Sequence, residues 1–71
     1  MVAKRHWLYE IRKDRKLNHQ QVAKGAGIER AYYTMIESGN RNPSVEVAKA
    51  IASVMGFDWT QFYEDKKTET A

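Results

Sequence analysis

Two histidines, three serines and one Gly-x-Gly are the residues of this 71-residue chain whose types could support metal binding, nucleophilic catalysis or nucleotide binding. Their spacing works against all three. A zinc site needs three or four ligands. His6 and His19 fall on separate expected helices with no carboxylate at ligand spacing, and cysteine is absent. Ser38, Ser44 and Ser53 have no nearby His and acid to activate them. Gly25 and Gly27 sit where a helix ends rather than after a strand, so a phosphate-cradling loop is not expected. A chain this short also has little volume for a concave substrate pocket. The residues therefore point away from an enzyme, a metal centre, a cofactor or a small-molecule ligand.

The chemistry that remains is electrostatic. Net charge is +3, and its distribution is uneven. Met1 to Arg41 hold nine Lys/Arg against four Asp/Glu, whereas Asn42 to Ala71 hold three against five. A positive half beside a presenting helix suits a phosphate backbone. No apolar run approaches a membrane span and MVAKRHW is no signal peptide, so no membrane partner and a cytoplasmic location are expected.

The elements that must position these charges centre on Asn18 to Ser38. Asn18 can cap a helix whose third residue, Gln21, reaches back in a capping box. Leu17 and Val22 have the spacing of a hydrophobic staple. Val22, Ala23 and Ala26 share one face, and Gly27 can take the left-handed conformation that stops the helix. Ile28, Tyr33 and Ile36 restart the apolar pattern in a second short helix. Two such helices joined by a tight glycine turn describe a helix-turn-helix. Neither is long enough to be stable alone.

The flanking segments supply the scaffold. A first helix is expected over Lys4 to Lys16, with Leu8, Ile11 and Leu17 on its apolar stripe. Gly39 and Pro43 frame a loop after the third helix. Ser44 caps a fourth helix that buries Val45, Ala48, Ile51, Ala52 and Met55 and ends at Gly56. Asp58 opens a last short helix, with Phe57 and Phe62 in staple positions. The reading is all-α: one compact five-helix domain over residues 1–63, followed by a polar tail over 64–71.

LNHQQVAKGAGIERAYYTMIESGNRNPS followed by VEVAKAIASVMGFDWTQFY resembles the Cro/cI (lambda-repressor-like, XRE) helix-turn-helix family. The likeness spans about Leu8 to Tyr63. It rests on Asn18 to Gln21, Ala23, Gly27, the Ile36-Glu37 pair, Gly39, and Arg41-Asn42-Pro43-Ser44 together. It implies a DNA-binding transcriptional regulator with the third helix in the major groove and the second across the backbone. Positions that face bases in such proteins become Arg30, Ala31, Thr34 and Met35, and helical periodicity independently puts these four opposite Tyr33 and Ile36. Arginine can bond guanine O6 and N7 together, threonine can exchange a hydrogen bond with a base edge, and Met35 or Ala31 can pack on a thymine methyl. Phosphate contacts would fall to Asn18, His19, Tyr32, Asn40, Arg41 and Asn42. Tyr33 is expected in the core. The resemblance also implies a structural ion pair between Arg12 and Glu37.

Four positions depart from the family pattern. His19 stands where glutamine is usual. Gly25 weakens its helix by about 1 kcal/mol relative to alanine. Glu29 replaces the usual Ser or Thr cap, and beside DNA could accept from cytosine N4. Lys16 replaces a glycine common at the end of the first helix. The leading expectation is a repressor that binds a two-fold operator on double-stranded DNA as a homodimer, with Trp59, Phe62 and Tyr63 as candidates for the dimer surface. The alternative is a protein-binding module on the same fold, such as an antitoxin.

Overall fold

Helix boundaries in this chain are set by capping chemistry, and a left-handed residue closes each of the first four helices. The computed structural model describes residues 4–63, so the tail expected over 64–71 lies outside the described residues. It contains α1 (His6–Asp14), α2 (His19–Ala26), α3 (Arg30–Ser38) and α4 (Val45–Met55). A fifth helix follows, in helical conformation over 61–63. No strand occurs among the described residues.

Asn18 accepts from the Gln21 backbone N–H at 2.8 Å while the Gln21 side chain accepts from the Asn18 backbone N–H at 2.9 Å. This reciprocal pair satisfies two donors that the start of α2 would otherwise leave open. Ser44 caps α4 by accepting from Val47 N–H, and Glu46 lies in that helix's first turn. Phe57 and Phe62 bring their rings to 5.8 Å across the start of the last helix. Between them Asp58 accepts from both the backbone and the hydroxyl of Thr60, which holds its carboxyl below the usual aspartate range.

α1 is shorter than the expected Lys4 to Lys16. At its start the Arg5 N–H donates to the Glu37 carbonyl rather than within the helix. At its end Lys16 adopts a left-handed φ of 59°. The Lys16 N–H bonds the Lys13 carbonyl and the Leu17 N–H bonds the Arg12 carbonyl. That is the Schellman pattern, and α2 and α3 close with the same pair of bonds around Gly27 and Gly39. Lysine therefore occupies a position where its Cβ crowds the backbone at a cost of roughly 1–2 kcal/mol. Lys16→Gly is expected to stabilise the domain by about 1 kcal/mol, read as a rise in Tm of about 4–8 °C.

The helices enclose Leu8, Val22, Ala23, Tyr33, Ile36, Ala48, Ile51, Met55 and Phe62. Trp7 adds edge-to-face contacts with Phe57 and Phe62 at 5.4 and 5.1 Å, a geometry that adds to simple burial. Val45 departs from the expected buried face of α4 and is exposed, because it occupies the first residue of the helix. Arg15 Nε donates to the Met55 carbonyl at 2.8 Å, covering an open acceptor at the end of α4.

Gly25 has a packing reason that helix propensity does not reveal. A β-carbon there would stand 3.0 and 3.3 Å from the two methyls of Val54 on α4. Gly25→Ala should gain about 1 kcal/mol of propensity and lose most of it to this crowding. In a Val54→Ala background the gain should return, giving a non-additive double-mutant cycle by urea denaturation. Additive effects would remove Val54 as the cause.

Candidate nucleic-acid interface

α3 is amphipathic, and its two faces have different chemistry. Tyr33, Ile36 and Glu37 point inward and are buried. Arg30, Ala31, Thr34 and Met35 line one shallow open depression on the other side. Arg30, Ala31 and Thr34 are exposed and Met35 is half-buried. Among the described residues Arg30 makes no hydrogen bond or ion pair. Glu29 stands exposed at the start of α3 in extended conformation and makes no capping bond with its side chain.

What holds α3 in place is a buried polar cluster around Glu37. Arg12 on α1 donates from Nε to Glu37 Oε1 at 2.8 Å and from Nη2 to Oε2 at 3.2 Å. Tyr33 donates its hydroxyl to Oε1 at 2.8 Å. Burial pushes the Glu37 carboxyl up, but the bonds from Arg12 and Tyr33 and the charge of Arg12 outweigh it and hold the group below the usual glutamate range. Burial and then the bond to Glu37 push the Tyr33 hydroxyl far above the ordinary tyrosine range. Arg12 also donates to the Leu17 carbonyl, so it fixes the chain at the entrance to α2.

His19, expected on the phosphate side, is turned into this cluster. Its Nε2 lies 3.3 Å from Glu37 Oε2 and its Nδ1 lies 2.8 Å from Thr34 Oγ1. Its ring also meets Tyr33 edge-on at 5.3 Å. The side chain retains only 26% of its exposure. Arg12, Asn18, His19, Gln20 and Arg30 line a notch at the start of α2, where backbone N–H groups and the helix dipole already favour an anion.

On the far side of α3 the loop carries exposed Asn40, Arg41 and Asn42. Arg41 lays its guanidinium 5.1 Å from the ring centre of half-buried Tyr32. The loop is tied down by Arg5, a residue with no signal in the local pattern. Arg5 Nη1 donates to the carbonyls of Ile36 and Arg41 at 2.7 and 3.2 Å, and Nη2 to Asn42 Oδ1 at 2.6 Å. Asn42 Oδ1 accepts that bond, and its amide N–H groups are the atoms that can donate to an anion.

Of the aromatic residues considered for the dimer surface, Phe62 is enclosed in the core. Trp59 is half-buried and Tyr63 is 50% exposed, with their rings edge-on at 5.4 Å. The expectation that His6 has no carboxylate at ligand spacing is corrected: Glu10, four positions on and so on the same helix face, lies 2.9 Å away in an exposed pair. Among the described residues no three His, Cys, Asp or Glu side chains gather to hold a metal ion. No described helix is long and apolar enough to cross a membrane.

Comparison with known proteins bears on this arrangement. A helix-turn-helix family model matches residues 8–62. The chain is 53% identical over 66 residues to the uncharacterized HTH-type transcriptional regulator YqaF of Bacillus subtilis (strain 168), a match covering 93% of this chain and 87% of that protein. It is 41% identical over 46 residues to the immunity repressor protein of Bacillus phage phi105, covering 65% of this chain and 32% of that protein. Identity with the cryptic phage CTXphi transcriptional repressor RstR of Vibrio cholerae is 29% over 59 residues, covering 83% and 53%. Among solved structures, the restriction-modification controller protein C.AhdI from Aeromonas hydrophila superposes with a TM-score of 0.71 at 25% identity, covering 78% of this chain and 83% of that one.

Proposed function

This chain belongs to the helix-turn-helix family of transcriptional regulators, and from that premise we propose that α3 enters the major groove of a two-fold operator and reads it with Arg30, Ala31, Thr34 and Met35, with Glu29 at the edge. The observation that carries this reading is the shared open depression formed by those four side chains on the one face of α3 that the fold leaves uncovered. Arg30 suits guanine, whose O6 and N7 accept its two parallel N–H groups. Ala31 and Met35 give an apolar floor for a thymine methyl. Asn18 at the notch, Tyr32 on the flank of α3, and Asn40, Arg41 and Asn42 in the loop after it bracket the reading face and take phosphates on either side. Such contacts fix register without carrying sequence information.

The protein acts as a repressor and as a homodimer in the cytoplasm. Relatives that carry the name repressor support the first statement. The small reading face supports the second, since one copy makes few base contacts and a symmetric pair doubles them. Trp59 and Tyr63 are the surface aromatics available to a partner copy.

Selection of bound sites from random duplex DNA tests the whole reading. A palindromic consensus is expected, with half-sites about 34–36 Å apart. Recovery of no enriched sequence contradicts it. Arg41→Ala then tests the phosphate assignment: affinity for specific and non-specific DNA should fall together, and the log–log salt slope should flatten by about one unit. An unchanged slope takes Arg41 out of the interface.

A further inference from the structure

The hydrogen bonds around His19 determine what Thr34 can offer a base. Glu37 is the starting point. It accepts from Arg12 twice and from Tyr33, and an ionised carboxylate has no proton to give. His19 Nε2, 3.3 Å from Glu37 Oε2, must therefore be the donor of that contact. A neutral imidazole carries one N–H, so with the proton on Nε2 its Nδ1 is a bare acceptor. The only hydrogen available between Nδ1 and Thr34 Oγ1, 2.8 Å apart, is the threonine's own. Thr34 thus donates inward, and outward it presents lone pairs.

We propose that His19 is a specificity-determining residue, holding Thr34 as a hydrogen-bond acceptor so that α3 selects a base with a major-groove amino group, adenine N6 or cytosine N4, at the position Thr34 faces. The inference rests on the reading that α3 contacts bases. Protonation of His19 reverses the polarity. A charged imidazole donates from both nitrogens, Thr34 becomes the acceptor of the Nδ1 proton, and its hydroxyl hydrogen turns outward toward acceptors such as guanine O6 or thymine O4. Around the ring stand Arg12 from α1 and Arg30, Tyr33 and Glu37 from α3. Its neighbours on α2, Asn18 and Gln20, are uncharged, and none of the described bonds or ring contacts to it comes from α4.

The test starts from a selected site and finds the base pair at which Thr34→Val, which keeps the shape and removes the hydroxyl, abolishes discrimination. The wild-type protein should favour A or C there about fivefold over G or T, the worth of one net hydrogen bond. In His19→Leu, which takes the acceptor away from Thr34 and frees its hydroxyl to donate outward, that ratio should fall to about unity. Because it is a ratio between two DNAs for one protein, any general loss of affinity cancels. His19→Gln supplies the decisive control: its amide can donate to Glu37 and accept from Thr34, so the preference should persist. A preference for G or T in the wild type, or an undiminished preference in His19→Leu, overturns the proposal. The ring nitrogens of His19 in the free protein, read by NMR, should show the proton on Nε2. A proton on Nδ1 overturns the inference while leaving DNA binding by α3 intact, whereas failure to select any DNA sequence removes the proposed function itself.

Discussion

Arg12→Met is expected to destabilise the domain by about 3–5 kcal/mol, measured by urea denaturation near neutral pH. Glu37 is 4% exposed, and Arg12 supplies two of the hydrogen bonds that compensate its buried charge. Without them the carboxylate keeps only Tyr33 and His19 as donors. A domain of this length holds roughly 4–10 kcal/mol in all, so the loss is a large share of it. Removing both partners should be milder: Arg12→Met with Glu37→Leu leaves no charge stranded in the core and should recover much of the deficit.

The pH dependence follows with opposite signs in the two proteins. In the wild type the Glu37 carboxyl is held below its ordinary value of 4.5. Its contribution to stability is therefore present above that value and is lost as pH falls through the lower folded value. In Arg12→Met burial dominates and raises the carboxyl instead. Acid then relieves a stranded charge, so the gap between variant and wild type should narrow as pH drops. A small gap that is constant with pH would mean that the pair contributes little to holding α3.

How far the sequence reaches is clear from which residues act locally. Asn18 with Gln21, Ser44 with Val47, and Phe57 with Phe62 interact within five positions, and spacing alone announces them. The all-α architecture follows from these signals and from the periodic apolar faces between them. Arg5 gives no such signal. Among the described residues the acceptors of its side-chain hydrogen bonds lie 31 to 37 positions away, and nothing in the order KRHW says that one cation will tie down a distant loop. The His19–Thr34 bond spans the turn, and the ring's direction depends on a carboxylate on the next helix. Arg12 and Glu37 are joined in the sequence only by likeness to a family, since 25 positions separate them. Gly25 shows the converse case: propensity marks it as a weakness, and only the approach of Val54 explains why a side chain is absent.

Arg30→Ala is expected to cost about 1–3 kcal/mol on the cognate site and to relax selectivity at a single base pair, measured by titration against sites substituted one position at a time. The fold should not suffer. Arg30 is exposed and opens α3, where a positive charge opposes the helix dipole and no side-chain cap at Glu29 offsets it. Alanine is also the better helix former. The variant should therefore unfold at the same denaturant concentration as wild type, or slightly higher, while binding its site less well. The proposed base contact would explain a cation placed where the helix dipole disfavours it. Uniform loss on every DNA sequence would assign Arg30 to a phosphate, and undiminished binding would mean that the outer face of α3 does not read DNA.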